Sequence, residues 1–165
     1  MSNAIGKSVI LVVGIFLGIL LRQPGDAQEN AAPGLRLSHV GINAKDFDES
    51  LRFYTQKLGF RKAFLIKDKK GRPWVTYLQI GRDTFLELAP AGPKRPPGVS
   101  HIAIWPNDLD AYVAALRRRG LDVADPESGS TKTRITAVVD PDGVPLELVD
   151  FLPDSLPIKA IKAWQ

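Results

Sequence analysis

Two histidines, His39 and His101, are all the imidazole in the 165-residue chain. A glutamate follows each of them: Glu87 after 48 residues and Glu147 after 46. Two imidazoles and two carboxylates brought together make an N2O2 donor set. Such a set suits one divalent ion (Ni, Co, Zn, Mn or Fe(II)) and not Cu(I), and it leaves up to two positions of an octahedron for water or substrate. A closed structural zinc site more often uses sulfur, and the chain has no cysteine to supply it. Taken singly, a histidine in a strand is ordinarily a packing residue, and a glutamate between leucines is ordinarily the solvent face of a strand. The four become a set through where they fall.

They fall at matched positions of an internal repeat. Residues 37–48 (LSHVGINAKDFD) align without a gap on residues 99–110 (VSHIAIWPNDLD), so that Ser38, His39, Asp46 and Asp48 match Ser100, His101, Asp108 and Asp110. Further on, 85–88 (FLEL) aligns on 145–148 (PLEL). The offset is 62 residues at the first match and 60 at the second, a small indel. Two similar modules pack about a pseudo-twofold axis, and equivalent inward residues near the axis converge.

The elements that must carry these residues can be read from periodicity. Residues 35–44 read as a strand. Asp46 then reads as a helix N-cap with Glu49 as its capping-box partner; Leu51, Tyr54 and Leu58 recur at helical spacing, and Gly59 stops the helix. Strands are predicted at 61–67, 74–80 and 84–89, with turns at 69–73 and 81–83. The second half predicts a strand at 99–105, a helix at 108–119 ending at Gly120, a short strand at 121–124, and strands at 134–139 and 144–151 around the turn 140–143. The order is βαβββ twice, an α+β fold of halves 35–90 and 98–152 joined by the proline-rich segment 91–98. Side-chain alternation turns Val40 and Ile42 to the helix side and groups Leu37, His39 and Gly41 on the other. By the same rule Glu87 and Glu147 point away from the leucines that flank them.

Hydrophobic residues make up 44% of the chain, enough for one full core in the domain 35–152. The net charge of +4 is spread along the chain, so nothing points to nucleic acid. Lys7 precedes the apolar run at 9–21, which is short for a bilayer span and fits the core of a secretory signal. Gly25 and Ala27 are small residues at the −3 and −1 positions of a cut after Ala27. Residues 1–27 are therefore expected to be a signal peptide of an exported, periplasmic protein. The alternatives are an uncleaved anchor that holds the protein to the membrane through 9–21 and a buried N-terminal helix. Residues 28–34 read as a linker and 153–165 as a C-terminal tail.

The chain resembles the vicinal oxygen chelate superfamily, which includes glyoxalase I, methylmalonyl-CoA epimerase, extradiol dioxygenases and bleomycin resistance proteins. The resemblance covers about 35–152 and is carried by 37–42 (LSHVGI), 53–60 (FYTQKLGF), 85–88 (FLEL), 100–104 (SHIAI) and 140–148 (DPDGVPLEL). It implies paired βαβββ modules forming an open curved sheet around a metal cavity, a small-molecule substrate and a possible homodimer. Within the superfamily, His-Glu-His-Glu is most similar to bacterial glyoxalase I. That enzyme type carries an arginine four residues after the first histidine to hold the glutathione carboxylate, and here the position is Asn43.

Three functions compete on these grounds. The first is a glyoxalase I-like lyase or isomerase, in which the metal stabilises an enediolate and a carboxylate moves the proton next to a carbonyl. By resemblance Glu147 is the base, with Glu87 its near-symmetric counterpart. The second is an Fe(II) ring-cleaving dioxygenase using His39, His101 and Glu147, with Glu87 behind them. The third is a non-catalytic binding or sequestration protein. Trp74, Tyr77 and Trp105 are candidates to line the cavity. The segment 127–131, followed by Lys132 and Arg134, is a candidate lid, and Lys94 and Arg95 read as solvated linker charges.

Overall fold

The computed structural model describes residues 34–165. The expected signal or anchor at 1–27, and all but the last residue of the linker after it, lie outside the described residues. Eight strands and three helices follow in the order β1 (Arg36–Ala44), α1 (Phe47–Arg52), β2 (Arg61–Lys67), β3 (Pro73–Gln79), β4 (Phe85–Pro90), β5 (Gly98–Trp105), α2 (Leu109–Arg118), β6 (Glu127–Ser128), β7 (Thr133–Val139), β8 (Pro145–Phe151) and α3 (Leu156–Lys162). The strands form one curled, open mixed sheet, a half-barrel, in the order β2-β3-β4-β1-β5-β8-β7-β6. Exchanging the two halves returns the same order, so the pseudo-twofold axis passes between β1 and β5. Those two central strands run antiparallel, and each pairs on its other side in parallel with the glutamate-bearing strand of its own half.

Both helices after the histidine strands begin as the repeat predicts. The Asp46 carboxylate accepts from the Glu49 N–H at 2.9 Å, and Asp108 accepts from the Ala111 N–H at 2.9 Å, each satisfying one orphan donor of a first helical turn. Helix α1 is α-helical only to Arg52 and continues as a π-helical turn over Phe53–Lys57 before Gly59 takes a positive φ of 75°. The helices cover the convex face. Phe47, Leu51 and Tyr54 pack on Leu78, Leu86 and Leu88, while Leu109, Val113 and Leu116 form a cluster with Leu148. Leu86, Leu88 and Leu148 thus take the helix side, which leaves Glu87 and Glu147 on the concave one.

The concave face holds a second core of Tyr77, Phe85, Ala103, Val149 and Phe151. Ala160 of α3 belongs to this cluster, with Ile158 and Ile161 packed against it. The segment expected as a tail therefore carries a helix that closes one end of the cup. Ser155 caps it, accepting from the Ile158 N–H at 3.4 Å. Two further expectations change. Residues 121–124 form no strand; the edge strand is the two-residue β6, because Val123 is instead drawn into the α2 core. The segment 127–131 is no lid but a fixed hairpin: the Gly129 N–H donates to the Thr133 carbonyl at 2.8 Å, and Thr131 is buried against the Thr133 hydroxyl.

Candidate metal centre

The two histidine rings meet across the pseudo-twofold axis. Their Nε2 atoms lie 3.0 Å apart and the rings stand edge to face at 88°. Glu87 Oε2 is 3.6 Å from His39 Nε2. Glu147 Oε2 is 3.7 Å from both imidazoles. Donor atoms of His39, Glu87 and His101 all fall within 4.8 Å of one another; Glu147 approaches both histidines without joining that tighter group. The four residues chosen from the repeat therefore come together on one spot.

The register shows how the chain achieves this. Along β1 and β5 the pairing slips twice, between Leu37 and His39 and between Gly41 and Ile42. The first slip makes Ser38 an extra residue on β1, and the second makes Ser100 an extra residue on β5. These are β-bulges, which re-aim the side chain that follows, and they sit at equivalent positions of the repeat. The first bulge also breaks the alternation expected between Leu37 and His39: Leu37 is half-exposed while His39 is 1% exposed. Each serine hydroxyl then lies against Nδ1 of the next histidine, at 3.1 Å for Ser38 and 3.0 Å for Ser100. An imidazole Nδ1–H donating to that hydroxyl fixes the ring and leaves the Nε2 lone pair free.

Small residues opposite the rings make room. His39 pairs with Ala103 and His101 with Gly41. A Cβ on Gly41 would collide with the His101 ring and lie 2.6 Å from Ser100 Oγ. Tyr77, beside Glu87 in the register, is the one candidate aromatic that reaches the centre. Its Oη is 3.5 Å from His39 Nε2 and it is hydrogen-bonded to Glu87. Trp105 instead packs on Phe151 at 4.5 Å, and Trp74 lies under the Arg95 guanidinium at 4.1 Å.

Electrostatics follow from burial. Desolvation, aided by His101, lowers the pKa of His39 to about 3, so this ring stays neutral as a ligand requires. Burial raises the Glu147 carboxyl above its ordinary range, His101 opposes that and Glu87 adds to it. Burial and then the Glu87 charge push the Tyr77 phenol well up, so it stays a hydrogen-bond donor.

The donor set can be tested for fit to a divalent ion. With each Nδ1–H turned to a serine, two neutral imidazoles would present lone pairs to each other at 3.0 Å, which is repulsive unless a cation lies against both. Two donors about 2.1 Å from one ion and 3.0 Å apart subtend about 90°, and donors 3.6–3.7 Å apart subtend about 120°. Both angles are ordinary for transition metals, and the ion's charge would balance Glu87 and Glu147. The residues fit.

A cavity of about 350 Å³ opens beside Glu87 and His101. Its other wall is the segment between the halves, including Lys94 and Arg95, which are thus not merely solvated linker charges. Asn43 lines it too, and its Nδ2 donates to the Pro96 carbonyl at 3.0 Å. Sequence reasoning missed Ser38, Ser100 and Gly41. The serines carried a signal, since they are identical in both copies of the repeat; Gly41, matched to Ala103, carried none.

Residues 36–148 match the model of the Glyoxalase/Bleomycin resistance protein/Dioxygenase superfamily. The uncharacterised protein YaeR of Escherichia coli (strain K12) is 32% identical over 126 residues, 70% of this chain and 95% of that protein. A probable lactoylglutathione lyase of Vibrio parahaemolyticus is 29% identical over 124 residues, 69% of this chain and 89% of that one. Among solved structures, a Streptomyces coelicolor methylmalonyl-CoA epimerase variant in complex with 2-nitronate-propionyl-CoA superposes with a TM-score of 0.58. It is 29% identical, over 69% of this chain and 92% of that chain.

Proposed function

The chain belongs to the glyoxalase/bleomycin resistance protein/dioxygenase superfamily, and from that premise we propose that it is a divalent-metal-dependent enzyme of the glyoxalase type. Its reaction moves a proton at the carbon next to a carbonyl of a small oxygenated substrate. The observation that carries this reading is the pair of Nε2 atoms 3.0 Å apart, each ring tied at Nδ1 to a serine, with two carboxylates beside them. His39, Glu87, His101 and Glu147 are the residues that hold the ion. A divalent ion at this point supplies Lewis acidity toward a substrate oxygen pair.

The proton is the business of the carboxylates. Glu147 takes the part of base: burial raises its carboxyl, and a base is most effective with a pKa nearer the working pH. Glu87 instead faces the Tyr77 hydroxyl, its neighbour on β3. The equivalent neighbour of Glu147 on β7 is Ala137, which has no hydroxyl. The duplicated pair is thereby made unequal: one carboxylate has a phenol beside it and the other a methyl group. Neutral Tyr77 also screens the centre from α3 with an apolar ring that packs on Phe64 and Phe85.

An Fe(II) dioxygenase built on His39, His101 and Glu147 finds less support, since the tightest group contains Glu87 and not Glu147. Asn43 is a neutral amide where glyoxalase I carries its carboxylate-binding arginine, and it is occupied with Pro96, which speaks against a glutathione carboxylate held at this position. The decisive experiment measures metal content of the protein and of His39→Ala, then turnover of 2-oxoaldehydes with and without glutathione under Ni, Co, Zn, Mn or Fe(II). Equal metal content in both proteins would overturn the site. Full turnover by a metal-replete Glu147→Gln would overturn the base. Oxygen uptake on catechols confined to Fe(II) would favour the dioxygenase, and tight ligand binding without product the sequestration protein.

A further inference from the structure

The two ends of the pseudo-symmetric cup are finished differently, and neither finish is part of the duplication. At the Phe85, Trp105 and Phe151 end, α3 fills the concave face with Ala160, Ile158 and Ile161. At the Asn43 and Ala89 end, the segment joining the halves forms the wall of the open cavity. A substrate reaching the Nε2 pair therefore enters past that segment.

The segment is built to hold its shape. Gly92 and Arg95 exchange two backbone hydrogen bonds of 2.9 Å, closing a tight turn with Lys94 at its tip. The Ala91 N–H donates to the Ala44 carbonyl at 2.8 Å, and Asn43 holds the Pro96 carbonyl. Pro93, Pro96 and Pro97 limit the remaining backbone freedom. Arg95 stacks on Trp74. Neither Lys94 nor Arg95 makes an ion pair with a carboxylate among the described residues. Among the described residues Glu87 is the sole acid lining the metal cavity. Arg95 also borders a second cavity that contains Asp46, Asp48 and Asp68, and Lys94 lines the metal cavity.

Charge accounting then defines the ligand. A divalent ion would cancel Glu87 and Glu147, which leaves Lys94 at the entrance with no carboxylate paired to it among the described residues, and Arg95 beside it, shared with the neighbouring aspartate-lined cavity. Such a cavity concentrates anions and rejects cations. We propose that the substrate is a small anion whose carboxylate or phosphate group is held by Lys94, seconded by Arg95, while its oxygen pair reaches the histidine–glutamate cluster. This rests on the metal-enzyme reading and adds the substrate class to it. The volume of about 350 Å³ lies at the small end of ligand cavities.

The test uses Co(II)-loaded protein and three probes that share a chelating 2-oxo acid head: 2-oxoglutarate, its phosphonate analogue 4-phosphono-2-oxobutanoate, and 2-oxovalerate, which ends in a methyl group. Binding is read from the Co(II) absorption bands. At least one probe with a distal anion is expected to bind about five- to tenfold more tightly than 2-oxovalerate, the range for one partly exposed ionic contact. Which of the two gains more distinguishes carboxylate from phosphate. The preference should shrink with added salt, fall below twofold in Lys94→Gln/Arg95→Gln and reverse in Lys94→Glu, all with unchanged Co(II) content. Equal binding of the three probes, no binding of either distal anion, or a preference that survives Lys94→Glu overturns the proposal while the metal reading stands. A protein that takes up no Co(II) fails at the metal reading instead, and the proposal falls with it.

Discussion

Replacing Gly41 by alanine adds one carbon and touches none of the four donor residues, yet it should disable the centre. An ideal Cβ at this position runs into Cε1 and Nδ1 of His101 and lies 2.6 Å from Ser100 Oγ. Ordinary contacts begin near 3.4 Å, so the ring must withdraw by about 1 Å, twice the tolerance of a working site. Withdrawal breaks the Ser100–Nδ1 hydrogen bond of 3.0 Å and opens the 3.0 Å gap to His39. Disturbing the support of a ligand histidine lowers metal affinity about 10–100-fold, and overpacking costs the fold about 1–3 kcal/mol. Both are measurable on one sample. Competition with a chromogenic chelator gives the metal affinity, and thermal melts with and without metal give the stabilisation that binding supplies. Gly41→Ala should fold, melt somewhat lower without metal, and gain far less from added metal than the native protein. If its metal affinity stays within about twofold of native while Ser100→Ala loses affinity, the small residue opposite His101 is not what lets the ring reach its place.

Ser38→Ala and Ser100→Ala remove the hydroxyls at Nδ1, and each should lower metal affinity about tenfold, with Ser38 the more damaging because it is wholly buried; the same competition assay decides. The metal-free protein should lose stability in mild acid. His39 sits near pKa 3 when folded against 6.5 ordinarily, so between those values the unfolded chain binds a proton that the native site excludes, and stability falls as pH drops through that window. Between pH 7 and 5 this contributes about 2 kcal/mol of loss. Glu147, raised by burial, acts in the opposite sense, so denaturation of the native protein should be compared with His39→Asn: equal slopes against pH would refute the assignment. Asp108→Ala removes the cap of α2 and should cost about 1 kcal/mol in denaturant titration without altering metal affinity.

Much of this was legible because a duplicated sequence reports on itself. Strand bounds, the two aspartate caps and the convergence of the four candidate donors followed from matching one half against the other, and the leucines beside Glu87 and Glu147 told which way the carboxylates point. The failures have physical causes. Alternation along β1 assumed an unbroken strand, and a bulge at Ser38 shifts the phase between Leu37 and His39. Val123 lies in an apolar stretch that reads as a strand, but tertiary packing on α2 claims its side chain. The last residues show too short a periodic run to announce a helix, and α3 is stable through the concave core it enters, not through its own propensity.

The resemblance between the halves accounts for the centre, and the differences between them account for what the centre can do. Perfect symmetry would give two identical carboxylates and two identical entrances, with no way to tell base from spectator or front from back. Three unduplicated features remove that degeneracy. Tyr77 stands where the other half has Ala137, and it ties down Glu87 alone. Helix α3 follows only the second half and closes one end of the cup. The segment at 91–98 follows only the first half and brings Lys94 and Arg95 to the other end. Substitutions within the repeat should therefore act on metal affinity, and substitutions at these three places on rate and substrate choice with the metal still bound. Tyr77→Phe is the sharpest case: it deletes one hydroxyl, keeps the ring on Phe64, and should leave metal content intact while turnover falls; native turnover in this variant would show that the hydroxyl beside Glu87 plays no part in the rate.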